Sequence, residues 1–215
     1  MTHVFIYREV AALLKRFRCA VVAVDRGEER YASPLTKSIT GGITYMPPRD
    51  SGSNDARYYL CYLGWLLRHP VRVANVARLF EPELGGHPFR IADRRAAREW
   101  LHPFHGFYAA RLLERRRVGH IHAYCTHLSA TYALVASQLL HVGFSFHAYV
   151  DFDFPYRFKM LDRKLALCDF AAVHTAFCRE RLLGYTSEQY REKIRLIRFG
   201  LDLGRLKPRP ASGSP

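Results

Sequence analysis

Apolar residues in this chain alternate between a helical and an extended repeat, and the switches mark out its elements. Ile6, Val10, Leu13, Leu14 and Phe17 recur at helical spacing and predict a first helix over residues 3–17. Cys19-Ala-Val-Val-Ala-Val-Asp25 is a short, valine-rich apolar run, the pattern of a parallel strand covered on both faces. After a turn-rich stretch, Gly42-Ile-Thr-Tyr-Met46 predicts another strand, stopped by Pro47-Pro48. Helices are expected over 56–67 and 70–80, parted at His69-Pro70, with a loop from Glu81-Pro82 to His87-Pro88. From Arg94 to Arg117 a helical stretch carries Leu101, Phe104, Tyr108, Leu112 and Leu113 on one side, broken or kinked near its start by Pro103.

The second half is more regular. Strands are predicted at 119–124, 143–149, 169–174 and 194–198, and helices at 128–140, 156–167, 177–183 and 187–193. This alternation predicts an α/β fold: a parallel sheet with right-handed crossovers and helices on both faces. The 215 residues suffice for one well-buried domain, not two.

Composition agrees with a folded chain, at 49% hydrophobic and 24% charged residues. Residues 208–215 have little to bury and read as a loose tail. No run approaches the roughly 18 apolar residues of a membrane span. Met1-Thr-His-Val-Phe-Ile-Tyr-Arg-Glu9 does not read as a signal peptide, because charges interrupt it before an apolar core forms. The five cysteines, without a CxxC spacing, are expected as reduced thiols in a cytosol. The net charge of +14 comes from clusters such as Arg94-Arg95, Arg98 and Arg115-Arg-Arg117. It suits polyanions (nucleic acid, anionic lipid, phosphorylated substrates), or simply a solvated basic face.

Ligands of an open parallel sheet bind beyond the carboxyl ends of its strands. Alternation puts His120, His122 and Tyr124 on one face of their strand, and Ser145, His147 and Tyr149 on one face of theirs, with Asp151 and Asp153 just beyond. Such residues also serve as hydrogen-bonded core groups. His120-x-His122-x-x-Cys125-x-His127 would make a zinc site only if the turn after Tyr124 bent sharply enough to converge its ligands. There is no G-x-S-x-G elbow, P-loop or G-x-G-x-x-G pattern. With no finger or RRM signature, a nucleic-acid role rests on charge alone.

Three stretches carry a family likeness. His120-Ile-His-Ala-Tyr-Cys125, followed by the small-residue helix Ser129-Ala-Thr-Tyr-Ala-Leu-Val-Ala-Ser137, is close to a His-Ile-His-Ala-His-Phe pattern. Phe144-Ser-Phe-His-Ala-Tyr149 is close to Phe-Ser-Phe-Thr-Ala-His. Ile194-Arg-Leu-Ile-Arg-Phe-Gly-Leu-Asp-Leu-Gly-Arg-Leu-Lys-Pro208 is similar to a segment containing Gly-Val-Asp-x-x-x-Phe-x-Pro, and Phe5-Ile-Tyr-Arg-Glu-Val10 to a Phe-Ile-x-x-Glu-Ile helix start. Together they resemble the N-terminal domain of family 4 glycosyltransferases, in the subgroup that builds bacterial exopolysaccharides such as colanic acid. The likeness is weakest over residues 26–95.

The resemblance implies a Rossmann-like sheet forming one half of a GT-B architecture. Residues 1–207 would be the acceptor-side domain, without its first strand, and 208–215 the start of an interdomain linker. The donor-binding domain, which holds the nucleotide sugar through a paired-glutamate motif, would be missing, leaving the chain inactive alone. His147, Tyr149 and Asp151 become the catalytic candidates, and Glu9, His120, His122, Tyr124 and Ser145 the acceptor-binding ones. No metal or cofactor is expected. At two crevice positions where the family pattern has histidine, this chain has Tyr124 and Tyr149; a phenol with a pKa of about 10 is a poor base, so His147 is the expected substitute. The implied partners are a saccharide or lipid-linked acceptor, and a nucleotide sugar only alongside a donor-binding domain. The implied place is the cytoplasm, including the anionic inner face of the plasma membrane. Two other readings stay open: half of a split enzyme, or a non-catalytic basic module binding nucleic acid or anionic glycans.

Overall fold

A computed structural model describes residues 4–24, 39, 42–48, 52–80, 102–149 and 160–200. Helix α1 spans Val4–Arg16, with Lys15 and Arg16 in its last turn, where cations favour the helix dipole. Strands β1 (Val21–Ala23) and β2 (Ile43–Tyr45) pair in parallel, Val22 opposite Thr44. Helices α2 (Gly52–Arg68) and α3 (Pro70–Phe80) part where expected, with Pro70 at the first position of α3, where a missing N–H costs nothing. Helix α4 (His102–Glu114) carries Pro103 in its first turn; the rest of the expected 94–117 helix before it lies outside the described residues.

The remaining elements alternate strictly: β3 (His120–Tyr124), α5 (Leu128–Leu140), β4 (Gly143–His147), α6 (Leu161–Leu167), β5 (Phe170–Val173), α7 (Ala176–Leu183), a 3-10 turn (Glu188–Lys193) and β6 (Ile194–Leu196). Strands β3, β4, β5 and β6 lie in that order, all parallel. The α/β class and the parallel pairing therefore hold.

Two expectations need correction. The strands do not form one sheet: among the described residues they make a two-stranded and a four-stranded sheet, with no ladder between β1 and β3. They are joined instead through helices, since Val22 and Ile121 pack against one cluster formed by Trp65, Phe107, Val135 and Leu139. The helix expected over 156–167 starts only at Leu161, because Met160 before it takes a left-handed conformation (φ 58°) that interrupts any helix. Residues 156–159 lie outside the described residues.

Helix α5 is apolar nearly all round and is the buried centre of the helical layer. Its contact with α4 depends on Gly106: a Cβ there would sit 2.4 Å from Cβ of Val135. One face of the four-stranded sheet is apolar, with Ala123, Phe144, Phe146, Ala171 and Val173 buried against Leu134, Leu161, Leu165 and Leu182. The opposite face carries the chemistry. Among the described residues no helix is long and apolar enough to cross a membrane.

Candidate functional site

Register and alternation together define the polar face. His122 lies opposite Ser145, Tyr124 opposite His147, and His147 opposite Ala172, so their side chains project to the same side. The expected grouping of His120, His122 and Tyr124 with Ser145 and His147 is what the structure shows. Strand β4 ends at His147, earlier than expected, though Ala148 N still donates to Ala172 O at 2.8 Å.

At the N-terminal end of the face the polar groups satisfy one another. His120 Nε2 lies 2.7 Å and His122 Nδ1 2.8 Å from Ser145 Oγ. A hydroxyl has one proton and two lone pairs, so it donates to at most one of the two imidazoles and accepts from a ring nitrogen that carries a proton. His120 Nδ1 is 3.4 Å from Asp169 Oδ2. Gly143 makes room for that approach: a Cβ would come within 2.6 Å of both atoms. The Asp169–His120–Ser145 order resembles a nucleophilic triad. The Ser145 hydroxyl is nevertheless shared between two rings, so it is already committed and is not free to act as a nucleophile.

The C-terminal end is built differently. Tyr124 and Glu9 of α1 lie close enough to influence each other's charge, and Glu9 Oε2 is buried without a hydrogen-bond partner among the described residues. Burial raises the pKa of Glu9, partly offset by the Tyr124 hydroxyl; burial, then the Glu9 charge, raises that of the Tyr124 phenol. The His147 ring stacks on Tyr149 at 4.5 Å and 8°. Phe199, just past β6, lies 6.0 Å from His147 and 4.8 Å from His174, which follows β5. Phe5 of α1 closes the cluster, 5.1 Å from Tyr149 and 5.0 Å from Phe199.

Burial is the main cause that lowers the His147 pKa to about 3, with His122 and His174 adding to it, and it lowers that of His122 to about 4. Both rings are neutral at pH 7. The Nε2 atom of His147 is buried and has no hydrogen-bond partner among the described residues. An orphaned polar atom of this kind normally costs free energy, which makes it informative about ligands.

The loop after β3 is fixed from below. Cys125 adopts a left-handed φ of 75°, and the Ser129 hydroxyl donates to Tyr124 O and Cys125 O. Lys164 of α6 is buried and donates to Thr126 O at 2.7 Å and His127 O at 3.2 Å. The turn at Cys125 is thus sharp, yet no three His, Cys, Asp or Glu groups converge on a metal-sized space among the described residues. His120 and His122 are spent on Ser145 instead.

Of the expected site residues, Glu9, Tyr124, His147 and Tyr149 gather at the C-terminal end; His120, His122 and Ser145 form the N-terminal network, which adjoins it where the His122 ring meets Tyr124 edge-on at 5.1 Å. Asp151 lies outside the described residues. Sequence reading missed Phe5, Phe199, His174 and Lys164. His174 follows the same strand-end rule that picked His147, and Lys164 is a cation between the apolar Leu161 and Leu165. A shallow hollow of about 500 Å³ on α7, lined by Phe177, Glu180, Arg181, Gly184 and Tyr185, includes none of these residues. The chain matches no protein-family model, and no curated protein and no solved structure is similar to it.

Proposed function

We propose that this chain is the acceptor-side half of a two-domain glycosyltransferase, binding a saccharide or lipid-linked saccharide at the C-terminal end of β3 and β4. The supporting observation is the meeting of Glu9, Tyr124, His147 and Tyr149, from three elements, where parallel sheets bind ligands. In this reading Glu9 takes the acceptor hydroxyl's proton, since burial has raised its basicity. Tyr124 lies beside the Glu9 carboxylate. His147, kept neutral, accepts a hydrogen bond at Nε2 and orients the acceptor. The nucleotide sugar would be held by a second domain, on this chain or another.

Titration with polyprenyl-pyrophosphate-linked saccharides in detergent, followed by NMR of the histidine rings, tests this. Binding that shifts the His147 signals and is lost in Glu9→Ala is expected; no response to any saccharide, with tight salt-dependent binding of nucleic acid instead, would sink it.

A further inference from the structure

Helix α2 is apolar on two opposite sides. Tyr58, Cys61 and Trp65 are buried in the protein. Leu60, Leu63 and Leu67 point the other way, within an arc of about 60° on the helical repeat. They are 66%, 48% and 84% exposed, and Val71 at the start of α3 is also exposed, at 71%. Three large aliphatic side chains on one face of a helix, with a fourth exposed at the start of the next, are more than the scattered exposed residues of an ordinary exterior.

The surroundings of the stripe say what covers it. Helices α2 and α3 together contain Arg57, Arg68, Arg72 and Arg78 against a single carboxylate, Asp55, in the first turn of α2. Arg57 and Arg68 fall on one border of the exposed arc, by the same repeat. Arg68 approaches Glu114 of α4 at 3.8 Å, which brings the exposed triplet Arg115-Arg116-Arg117 beside the Leu67 end. Some of these cations have local partners: Arg72 Nη1 donates to Leu139 O at 2.8 Å, Arg78 Nη1 to Asn75 Oδ1 at 3.3 Å, and Arg68 stacks over Trp65 at 5.3 Å. Glu114 is the one carboxylate paired with them among the described residues. An apolar stripe bordered by arginine matches an interface with acyl chains inside and anionic head groups at the rim. A second copy of the chain would instead set one basic rim against another.

We infer that the outer face of α2 and the start of α3 dock this protein on an anionic lipid bilayer, Leu60, Leu63, Leu67 and Val71 entering the head-group boundary and the arginines meeting lipid phosphates. The inference stands whatever the sheet's C-terminal end binds. Co-sedimentation of the whole chain with phosphatidylcholine vesicles, with and without phosphatidylglycerol, tests it, alongside sedimentation velocity without lipid. Anionic vesicles should bind on the order of tenfold or more tightly, and salt should weaken them. The triple variant Leu60→Ser/Leu63→Ser/Leu67→Ser should lose about tenfold in binding with its circular dichroism unchanged, since it alters only exposed positions. Arg115→Glu/Arg117→Glu should lose the anionic preference. Equal binding to both vesicles, no binding to either, or full binding by the triple variant would each overturn the inference. So would self-association that the triple variant abolishes.

Discussion

The two ends of the polar sheet face use the same residue types to opposite effect. At the N-terminal end, His120, His122, Ser145 and Asp169 form a closed set in which each group has a partner. At the C-terminal end, His147 is walled by Tyr149 and Phe199 and keeps a buried nitrogen with no described partner. Satisfied polar networks hold a fold together, while an unsatisfied buried atom carries a cost that a ligand can remove. Histidine content alone therefore does not distinguish the two ends; whether the ring nitrogens are partnered does.

Acid should break the contrast most strongly. His122 and His147 take up a proton near pH 6.5 when unfolded, but only at about 4 and about 3 when folded. Their contribution to stability is complete above pH 6.5 and is lost as pH falls toward those values. Each unit is worth about 1.4 kcal/mol, so the total loss is several kcal/mol, below the plain sum because the rings lie 6.2 Å apart and repel when charged. Urea denaturation at pH 7, 5.5 and 4.5 measures it. His147→Phe, which keeps a ring against Tyr149, should flatten part of this dependence.

Ser145→Ala comes next. It strips a partner from both His120 and His122 and should cost about 1–3 kcal/mol in urea denaturation, while leaving saccharide binding intact. Gly143→Ala should cost less, about 1 kcal/mol, because the half-exposed Asp169 and His120 side chains can swing aside. Glu9→Gln should change stability least, by under about 1 kcal/mol, yet remove any transfer activity measured with a donor-binding domain present. A Ser145 variant that lost binding but not stability would reverse the comparison.

The order of elements and their faces was legible because periodicity carries it: β3, α5 and β4 fall where the residue pattern puts them. The division into two sheets was not, since β1 and β3 each read as ordinary buried strands and pairing between distant strands leaves no local mark. Nor was the placing of Glu9 beside Tyr124. Its helix is separated from β3 by more than a hundred residues, and only the tertiary packing brings its carboxylate to Tyr124 and away from water. The same holds for Phe5 and Phe199, which lie near opposite ends of the described chain and meet at 5.0 Å. Tyr149 was legible as a strand-end residue, but its stacking on His147 depends on the strand ending early.

The contrast between the two ends comes down to which histidine answers a ligand. Imidazole nitrogen spectra of the isotopically labelled chain, recorded from pH 8 to 4 and with a polyprenyl-pyrophosphate saccharide added, read that directly. The account predicts that His147 stays neutral through this range and shifts with the saccharide, while His120 and His122 do not respond to the saccharide. A His147 that titrates near 6.5, or a saccharide response confined to His120 and His122, would contradict it.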